Sequence, residues 1–467
     1  MAIDTTIPRT SAKIIPTGSD APVGSAGIIA VVGRFEKGDS GKPYYITGPN
    51  DGLNKMGDSP NYPGSKILEL IFKKDMDNNN YGAPAAIAIK AGASVGAECT
   101  LVDTTATPVD VMTLSVPGGE WGNDLTATVT TGTLSGKKLV IKKGTEVIDS
   151  FDNCANAEAL YNKIRSASVL NIQVTAHDLT KTLKDVADSP FTGGTEIADP
   201  TATDLNDALT VLNDEDFDII IFTDMPDDSS YATIEAYLND RLENDKFTMS
   251  ILPIDSSKTV TQVKTIVAGV DTGLIQFITQ SITVNDEELN DAETAARIAG
   301  FTAGLPVNKS LTNKIISDIT ALSRTFTKGD SSSETYVLTD TGVMVLELKS
   351  RKNNSYGVVS AVTASHELGD DGKKTVWSEQ HAVRSLGYVC NQLDMKLDLG
   401  ETGKSNSKSV VDGKVNNLVK GMLDDKIAET IKADTIFDEA NDELLYLDVE
   451  VIALGILKGI CKRIGMA

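Results

Sequence analysis

Apolar positions early in the chain occur in short runs and at helical spacing. Residues 27–33 form an apolar run bounded by glycines, which predicts a buried strand. Residues 65–75 place Ile67, Leu68 and Ile71 on one side of a helix, and residues 85–90 return to an apolar run. The pattern therefore predicts a strand, a helix and a second strand before residue 99.

The pattern changes between about residues 100 and 192, where Thr, Val and Gly dominate and β-branched residues alternate with polar ones. This texture predicts an inserted module made mostly of strands, with one helix near residues 155–168. After it, helical and buried-strand patterns alternate, which predicts a βαβ-type sheet layer. The predicted segments are helices at 204–212, 231–244 and 259–267 and strands at 217–222 and 247–253.

Near the C-terminus, residues 341–348 predict a strand, and residues 381–394 and 410–433 predict helices. Residues 447–451 then alternate apolar and acidic side chains, which is typical of a strand with one wet face.

Both ends of the chain differ from this pattern. Residues 1–22 are interrupted by Pro8 and Pro16, so an extended arm is expected there rather than a helix. Residues 455–467 carry basic side chains shortly after an acidic stretch, and their composition also suits an arm.

Charge limits the partners that the chain can have. The 467 residues contain 43 basic and 66 acidic side chains, a net charge of −23. Residues 196–255 alone hold sixteen acidic and two basic side chains. Nucleic acids and anionic membranes attract concentrated positive charge, so neither is an expected partner. The sequence shows no apolar stretch long enough to span a bilayer and no secretory signal pattern, which predicts synthesis in the cytoplasm.

The motifs that suggest chemistry fail on inspection. The segment at 38–41 resembles the surroundings of a serine nucleophile, but all three histidines follow it in the chain, so a turn is the better interpretation. Gly403-Lys404-Ser405 lacks the earlier glycine of a P-loop. The four cysteines are far apart, which disfavours a disulfide framework or a cysteine zinc site. We therefore expect no enzyme activity, no catalytic residues, no cofactor and no metal.

Several segments, taken in order, resemble tail sheath proteins of contractile-tailed viruses and related contractile injection systems. Residues 27–58 are similar to the opening of that family, although the usual proline is missing from the turn at 37–40. The Gly-Glu-Trp-Gly-Asn-Asp segment at 119–124 resembles its "G.WGN" turn. Residues 295–304 resemble its "aAg..Ag" helix, residues 341–346 resemble a later strand, and residues 448–465 are similar to its terminal strands.

The resemblance implies an α/β and α+β multidomain fold: a mixed α/β sheath core with an inserted β-rich domain and extended N- and C-terminal arms. The domains expected are an N-terminal arm, two parts of the core separated by the inserted domain, a C-terminal α+β domain and a C-terminal arm. Their bounds are 1–22 for the first arm, 23–99 and 196–335 for the core, 100–195 for the insertion, 336–454 for the C-terminal domain and 455–467 for the second arm.

The function implied is that of a structural subunit that polymerises helically around an inner tail tube and contracts to drive the tube through a host envelope. The implied partners are other copies of the chain, the inner tail tube protein, and the baseplate and tail terminator proteins. The location implied is a virion tail that is assembled in the host cytoplasm. Two alternatives stay open: another self-assembling shell such as a surface layer, and an α/β enzyme that would use Thr223, Asp224 and Asp255 at strand ends.

Members of the family that the chain resembles join their subunits by donating extended arms to a neighbour's sheet. The residues expected in such inter-subunit contacts are apolar in the first arm and the last strand, and basic in the second arm. They are Ile7, Ile14, Ile15, Val449, Val451, Lys458, Lys462 and Arg463.

Overall fold

The computed structural model describes residues 27–74, 81–196, 199–224, 228–244, 246–350, 354–370, 372–396, 408–437 and 445–453. The predicted arms at 1–22 and 455–467 lie outside these residues. The first elements along the chain are strands β1 (Ile28–Gly33), β2 (Pro43–Ile46) and β3 (Ala85–Lys90) and helices α1 (Pro49–Met56) and α2 (Pro63–Phe72). The strands expected at 27–33 and 85–90 and the helix expected at 65–75 are confirmed.

The inserted region is rich in strands, as its alternating Thr and Val residues predict. It contains strands β4 (Glu98–Val102), β5 (Asp110–Ser115), β6 (Leu125–Thr131), β7 (Lys137–Lys143), β8 (Glu146–Cys154), β9 (Gln173–Ala176) and β10 (Val186–Pro190), and helix α3 (Ala157–Ala167). They form one sheet in the order β10-β6-β7-β8 and another in the order β4-β5-β9. The two sheets and α3 share a hydrophobic core of their own.

Helices and strands alternate after the insertion, as predicted. The elements are α4 (Ala202–Leu212), β11 (Ile219–Phe222), α5 (Ser230–Glu243), β12 (Met249–Pro253), α6 (Val260–Val267), β13 (Ile275–Ile278), β14 (Ile282–Val284), β15 (Glu287–Glu288), α7 (Asp291–Gly304), β16 (Ile319–Leu322), α8 (Glu334–Thr341), β17 (Val343–Met344), β18 (Leu346–Ser350) and β19 (Ser355–Val358). Side-chain caps begin several of these helices; for example, Thr201 and Asp204 form a reciprocal capping box at α4.

A seven-stranded sheet organises the core, in the order β17-β13-β12-β11-β1-β3-β2. Its strands are parallel except β2, which is antiparallel to β3. Alternate residues of β1 face opposite sides: Ile29 and Val31 pack with α2 and α7, whereas Ala30 and Val32 pack with α4, α5 and α6. Both faces of the sheet are covered, which explains why its strands are apolar runs rather than alternating ones.

The last elements are helices α9 (Gln380–Lys396) and α10 (Lys408–Asp424) and strands β20 (Thr430–Phe437) and β21 (Leu445–Ile452). They form a small module in which the β20–β21 sheet packs against α10. The helix expected at 381–394 and the strand expected at 447–451 are confirmed. The α/β and α+β class is confirmed as well, and the domain boundaries stay a prediction.

Two predicted elements are wrong in part. The helix expected over 410–433 ends at Asp424, and β20 begins at Thr430. The strand expected over 341–348 is divided, because α8 extends to Thr341 and Gly342 then adopts a left-handed conformation with φ 102°. After that turn, β17 joins the seven-stranded sheet and β18 pairs with β19 in a separate one.

Candidate assembly site

The hairpin of β20 and β21 contains two of the residues expected in subunit contacts. Val449 pairs with Ala433 and Val451 with Ile431 across the two strands. The side chains of Val449 and Val451 are half-buried against the hydrophobic cluster of their own module. A contact between this strand and a neighbour would therefore use the backbone edge. The other expected contact residues, Ile7, Ile14, Ile15, Lys458, Lys462 and Arg463, lie outside the described residues.

The outer face of this hairpin is charged and acidic. Lys432 and Glu450 form a cross-strand ion pair at 2.6 Å. The next outward pair is Asp434 and Asp448, two like charges directly opposite each other. Such a pair destabilises an isolated hairpin and leaves negative potential on its surface. The face is therefore suited to a cationic partner.

The hairpin also has open edges. Among the described residues, β20 pairs only with β21, so the backbone groups on the outer side of each strand have no strand partner. Unpaired edges readily accept an additional strand from another chain.

The Gly119–Asp124 segment lies where the inserted region joins the core. Gly119 has φ 132°, and a Cβ there would lie 2.4 Å from the carbonyl oxygen of Glu36, so the position requires glycine. The Asn123 side chain donates to the carbonyl oxygen of Gly194 and accepts from its N–H, both at 2.9 Å. The segment thus ties the end of the insertion, at Gly194, to the chain that follows β5.

A buried ion pair strengthens the same junction. The Lys90 ammonium, at the end of β3, pairs with Glu196 and donates to the carbonyl oxygen of Gly118 at 3.3 Å. Burial lowers the pKa of Lys90, and the hydrogen bond and charge of Glu196 oppose that shift. Nearby, the Lys37 ammonium lies 4.8 Å from the ring centre of Trp121. Charged and aromatic contacts therefore fix the insertion to the core.

Helix α7 carries the segment at 295–304 and packs closely against the end of α2. A Cβ on Gly300 would lie 2.3 Å from the carbonyl oxygen of Ile71, so glycine is required for this approach. Arg297, fully buried, pairs with Asp318 at 3.0 Å and donates to the carbonyl oxygen of Lys73 at 3.2 Å. The motif therefore serves the packing of the core.

Asp224, one of the residues considered for an enzyme, lines a cleft of about 300 Å³ at the carboxyl ends of β1 and β11. The Arg34 guanidinium donates to both carboxylate oxygens of Asp224, at 2.7 and 3.0 Å, and the Thr223 hydroxyl donates to Asp224 at 2.8 Å. Asp255 instead accepts two hydrogen bonds from Ser257 in a turn, which lower the pKa of its carboxyl group. The polar groups at the cleft therefore pair with one another.

The described part of the chain also contains His, Cys, Asp and Glu side chains away from this cleft. No group of three or more His, Cys, Asp or Glu side chains there is arranged to hold a metal ion. None of the described helices is long and apolar enough to cross a membrane.

A protein-family model matches the central part of the chain. Residues 198–364 match the model of the phage tail sheath protein central domain. This stretch contains the α4–β17 part of the core together with β18 and β19. The resemblance to tail sheath proteins that the sequence indicates is therefore confirmed. No curated protein sequence matches the chain.

Solved structures match almost the whole chain. The sheath tail protein from Desulfitobacterium hafniense is 16% identical, with a TM-score of 0.62 over 95% of this chain and 100% of that one. The sheath tail protein from Listeria innocua is 14% identical, with a TM-score of 0.64 over 93% and 96%. The helical sheath of the anti-feeding prophage in its contracted state is 10% identical, with a TM-score of 0.51 over 98% and 99%. The chain therefore has the sheath protein fold.

Helix α9 carries a buried histidine that makes stability depend on pH. Burial, together with the charge of Arg384, lowers the pKa of His381 from 6.5 to about 4. The unfolded chain therefore binds more protons than the folded chain between these two values, and stability falls as pH falls from 7 toward 4. We expect His381 to contribute a loss of about 2–3 kcal/mol between pH 7 and pH 4.5.

This expectation is measured by urea unfolding of the monomer at both pH values. The variant His381→Gln should lose clearly less stability on acidification than the parent, because Gln does not titrate. The variant His177→Gln, at an exposed histidine, should keep the parent's dependence on pH. Equal losses in the parent and in His381→Gln would contradict the expectation.

Proposed function

We propose that the chain is the sheath subunit of a contractile tail, which polymerises helically around an inner tail tube and contracts to drive the tube through a host envelope. The observation that carries the proposal is the match of residues 198–364 to the sheath central domain, together with a fold shared over nearly the full length. The partners are other copies of the chain, the inner tail tube protein, and the baseplate and tail terminator proteins. The location is a virion tail assembled in the host cytoplasm.

Subunits that move during contraction need links that persist while the rigid parts rotate. The proposed links are the arms at residues 1–22 and 455–467, which add strands to a neighbour's sheet. The open edges of the β20–β21 hairpin support this, because backbone hydrogen bonds to an edge do not depend on side-chain identity. Head-to-tail contacts of this kind are heterologous and can continue without closing, which permits a helix.

The function is tested by negative-stain electron microscopy of the purified protein. Long striated tubes are expected. Persistently monomeric protein or flat two-dimensional lattices would contradict the proposal, and lattices would favour the surface-layer alternative.

The basic second arm is expected to strengthen subunit joining. Replacing Lys458, Lys462 and Arg463 together with Gln should lower tube yield, most clearly at low salt. The physical reason is attraction to an acidic surface on another copy, and the hairpin face with Asp434 and Asp448 supports such a contact. Exposed pairs contribute only about 0–1 kcal/mol each and are screened by salt, but they recur in every subunit.

Tube yield across a salt series measures this effect. The control replaces three exposed lysines, Lys309, Lys420 and Lys426, with Gln, which changes the net charge by the same amount. If the triple variant of the second arm and the control gave the same tube yield at low salt, the basic arm would have no specific role in joining subunits.

A further inference from the structure

Asp218 immediately precedes strand β11 in the sequence. In the fold it lies beside Gly27 and Ile28, the first residues that the structure describes. Its Oδ2 accepts hydrogen bonds from the N–H groups of Gly27 and Ile28 at 2.9 and 3.0 Å. Its own N–H donates to the carbonyl oxygen of Ile28 at 2.9 Å. One carboxylate therefore fixes the first residues of the central strand β1, directly after the N-terminal segment.

The other carboxylate oxygen of Asp218 faces helix α9. The Asn391 side chain reaches Oδ1 from α9 at 3.4 Å. Asp218, Arg384 and Asn391 line one crevice of about 20 Å³ between the sheet and this helix. The helix is held close to the sheet, because a Cβ on Gly387 would lie 2.0 Å from the ring of Phe247.

Arg384 is a buried cation with few partners. It is 4% exposed, and its Nη2 donates to the carbonyl oxygen of Leu305 at 2.7 Å. Among the described residues, its Nε and Nη1 atoms have no hydrogen-bond partner. Burial lowers the pKa of Arg384 to about 10, and the charge of Asp218 opposes that shift. Burial and the charge of Arg384 in turn lower the pKa of His381 on the same helix, so His381 adds no positive charge there at pH 7.

Helix α9 belongs to two hydrophobic clusters. Val383 packs with the seven-stranded sheet, whereas Val389 and Leu393 pack with α10 and β20. A group that fixes α9 to the sheet therefore also fixes the C-terminal module to the core.

We propose that half-buried Asp218 and buried Arg384 form a charge pair across this crevice, which couples the origin of the N-terminal arm to helix α9 and thus to the β20–β21 module. Asp218 is the positioning residue, because it both holds the start of β1 and supplies the counter-charge for Arg384. The pair exists in the folded monomer and does not depend on the proposed function. Its use in a sheath, where a pull on the arm reaches the C-terminal hairpin of the same subunit, does rest on that function.

The pair predicts an asymmetric double-mutant cycle. Asp218→Asn leaves a buried guanidinium without a counter-charge and should shift the unfolding equilibrium toward the unfolded state by roughly 100-fold or more. Arg384→Met leaves Asp218 with three N–H donors, so it should shift the unfolding equilibrium toward the unfolded state by less than about tenfold. In the Asp218→Asn background, Arg384→Met should shift the unfolding equilibrium back toward the folded state by at least about tenfold, because it removes the uncompensated charge.

Urea unfolding of the full chain as a monomer at pH 7 measures all four proteins. Asp214→Asn is the matched control, since this nearby exposed carboxylate lies outside the crevice, and it should behave as the parent. If Asp218→Asn is insoluble, recovery of soluble protein in the double variant is the expected rescue. The proposal would be overturned if the shift in the unfolding equilibrium of the double variant equalled the product of the two single shifts. A double variant as insoluble as Asp218→Asn would overturn it as well.

Discussion

Deleting residues 1–22 should leave a folded monomer that no longer forms tubes. The described core begins with Gly27, and β1 is covered on both faces by helices of the described chain. The arm has few large apolar residues and several prolines, so it adds little to a core of its own. Circular dichroism and sedimentation measure folding and assembly separately.

A substitution within the arm gives a sharper test of strand donation. Neighbouring N–H groups in a strand point to opposite edges, so replacing both Ile14 and Ile15 with Pro removes a donor from whichever edge pairs with the neighbour. This variant should behave like the deletion, whereas Ile14→Val with Ile15→Val should assemble normally. Normal tubes from the deletion or from the double proline variant would contradict a role of the arm in joining subunits.

The second large effect concerns Gly300 in α7. Gly300→Ala should destabilise the monomer by about 3 kcal/mol, because the added methyl group meets the backbone of Ile71 in a close-packed core. The matched control is Gly413→Ala in α10, where a Cβ would meet nothing within 4 Å. That change should stabilise the protein by about 0.5–1 kcal/mol, because Ala is the better helix former.

Chemical unfolding of both variants compares one substitution in two environments. Opposite signs are expected, since the packing term exists only at Gly300. If Gly300→Ala were as stable as the parent, α2 and α7 would have to separate easily at this point, and the glycine would not explain the motif.

Most of the core follows from the sequence because its elements obey strong local rules. The run at β1 is apolar throughout and bounded by glycines, and a strand covered on both faces has that pattern. Helices α4 and α6 begin with capping boxes at Thr201 and Thr259, and their apolar faces have the helical period. Local propensity and tertiary position agree in these elements, so the prediction succeeds.

The sequence pattern does not predict the end of α10, because the residue in the left-handed conformation after this helix is an unusual one. Helices commonly end at a glycine or asparagine in the left-handed conformation, but here Lys426 adopts φ 56° just after the helix. The apolar residues Ile427, Ala428 and Ile431, which follow the helix, have helical spacing and resemble a continued helical face.

The positioning role of Asp218 could not be found by sequence reasoning. It is one of sixteen acids between residues 196 and 255, and no local pattern separates it from the solvated ones. Its partners Gly27 and Arg384 are distant in sequence and meet it only in the folded chain. The contact role of Val449 and Val451 stays a prediction.

The junction of the inserted region has a consequence for how such a subunit can change over time. The entering and leaving segments run side by side, with Val95 bridged to Thr195 and Glu98 to Thr192. Adjacent antiparallel residues are about 5 Å apart, a gap that a short turn can close. The insertion has its own hydrophobic core, and the seven-stranded sheet uses no strand from it. A whole surface domain can therefore be gained, lost or exchanged at this junction during evolution, while the sheet and its strand order remain the same.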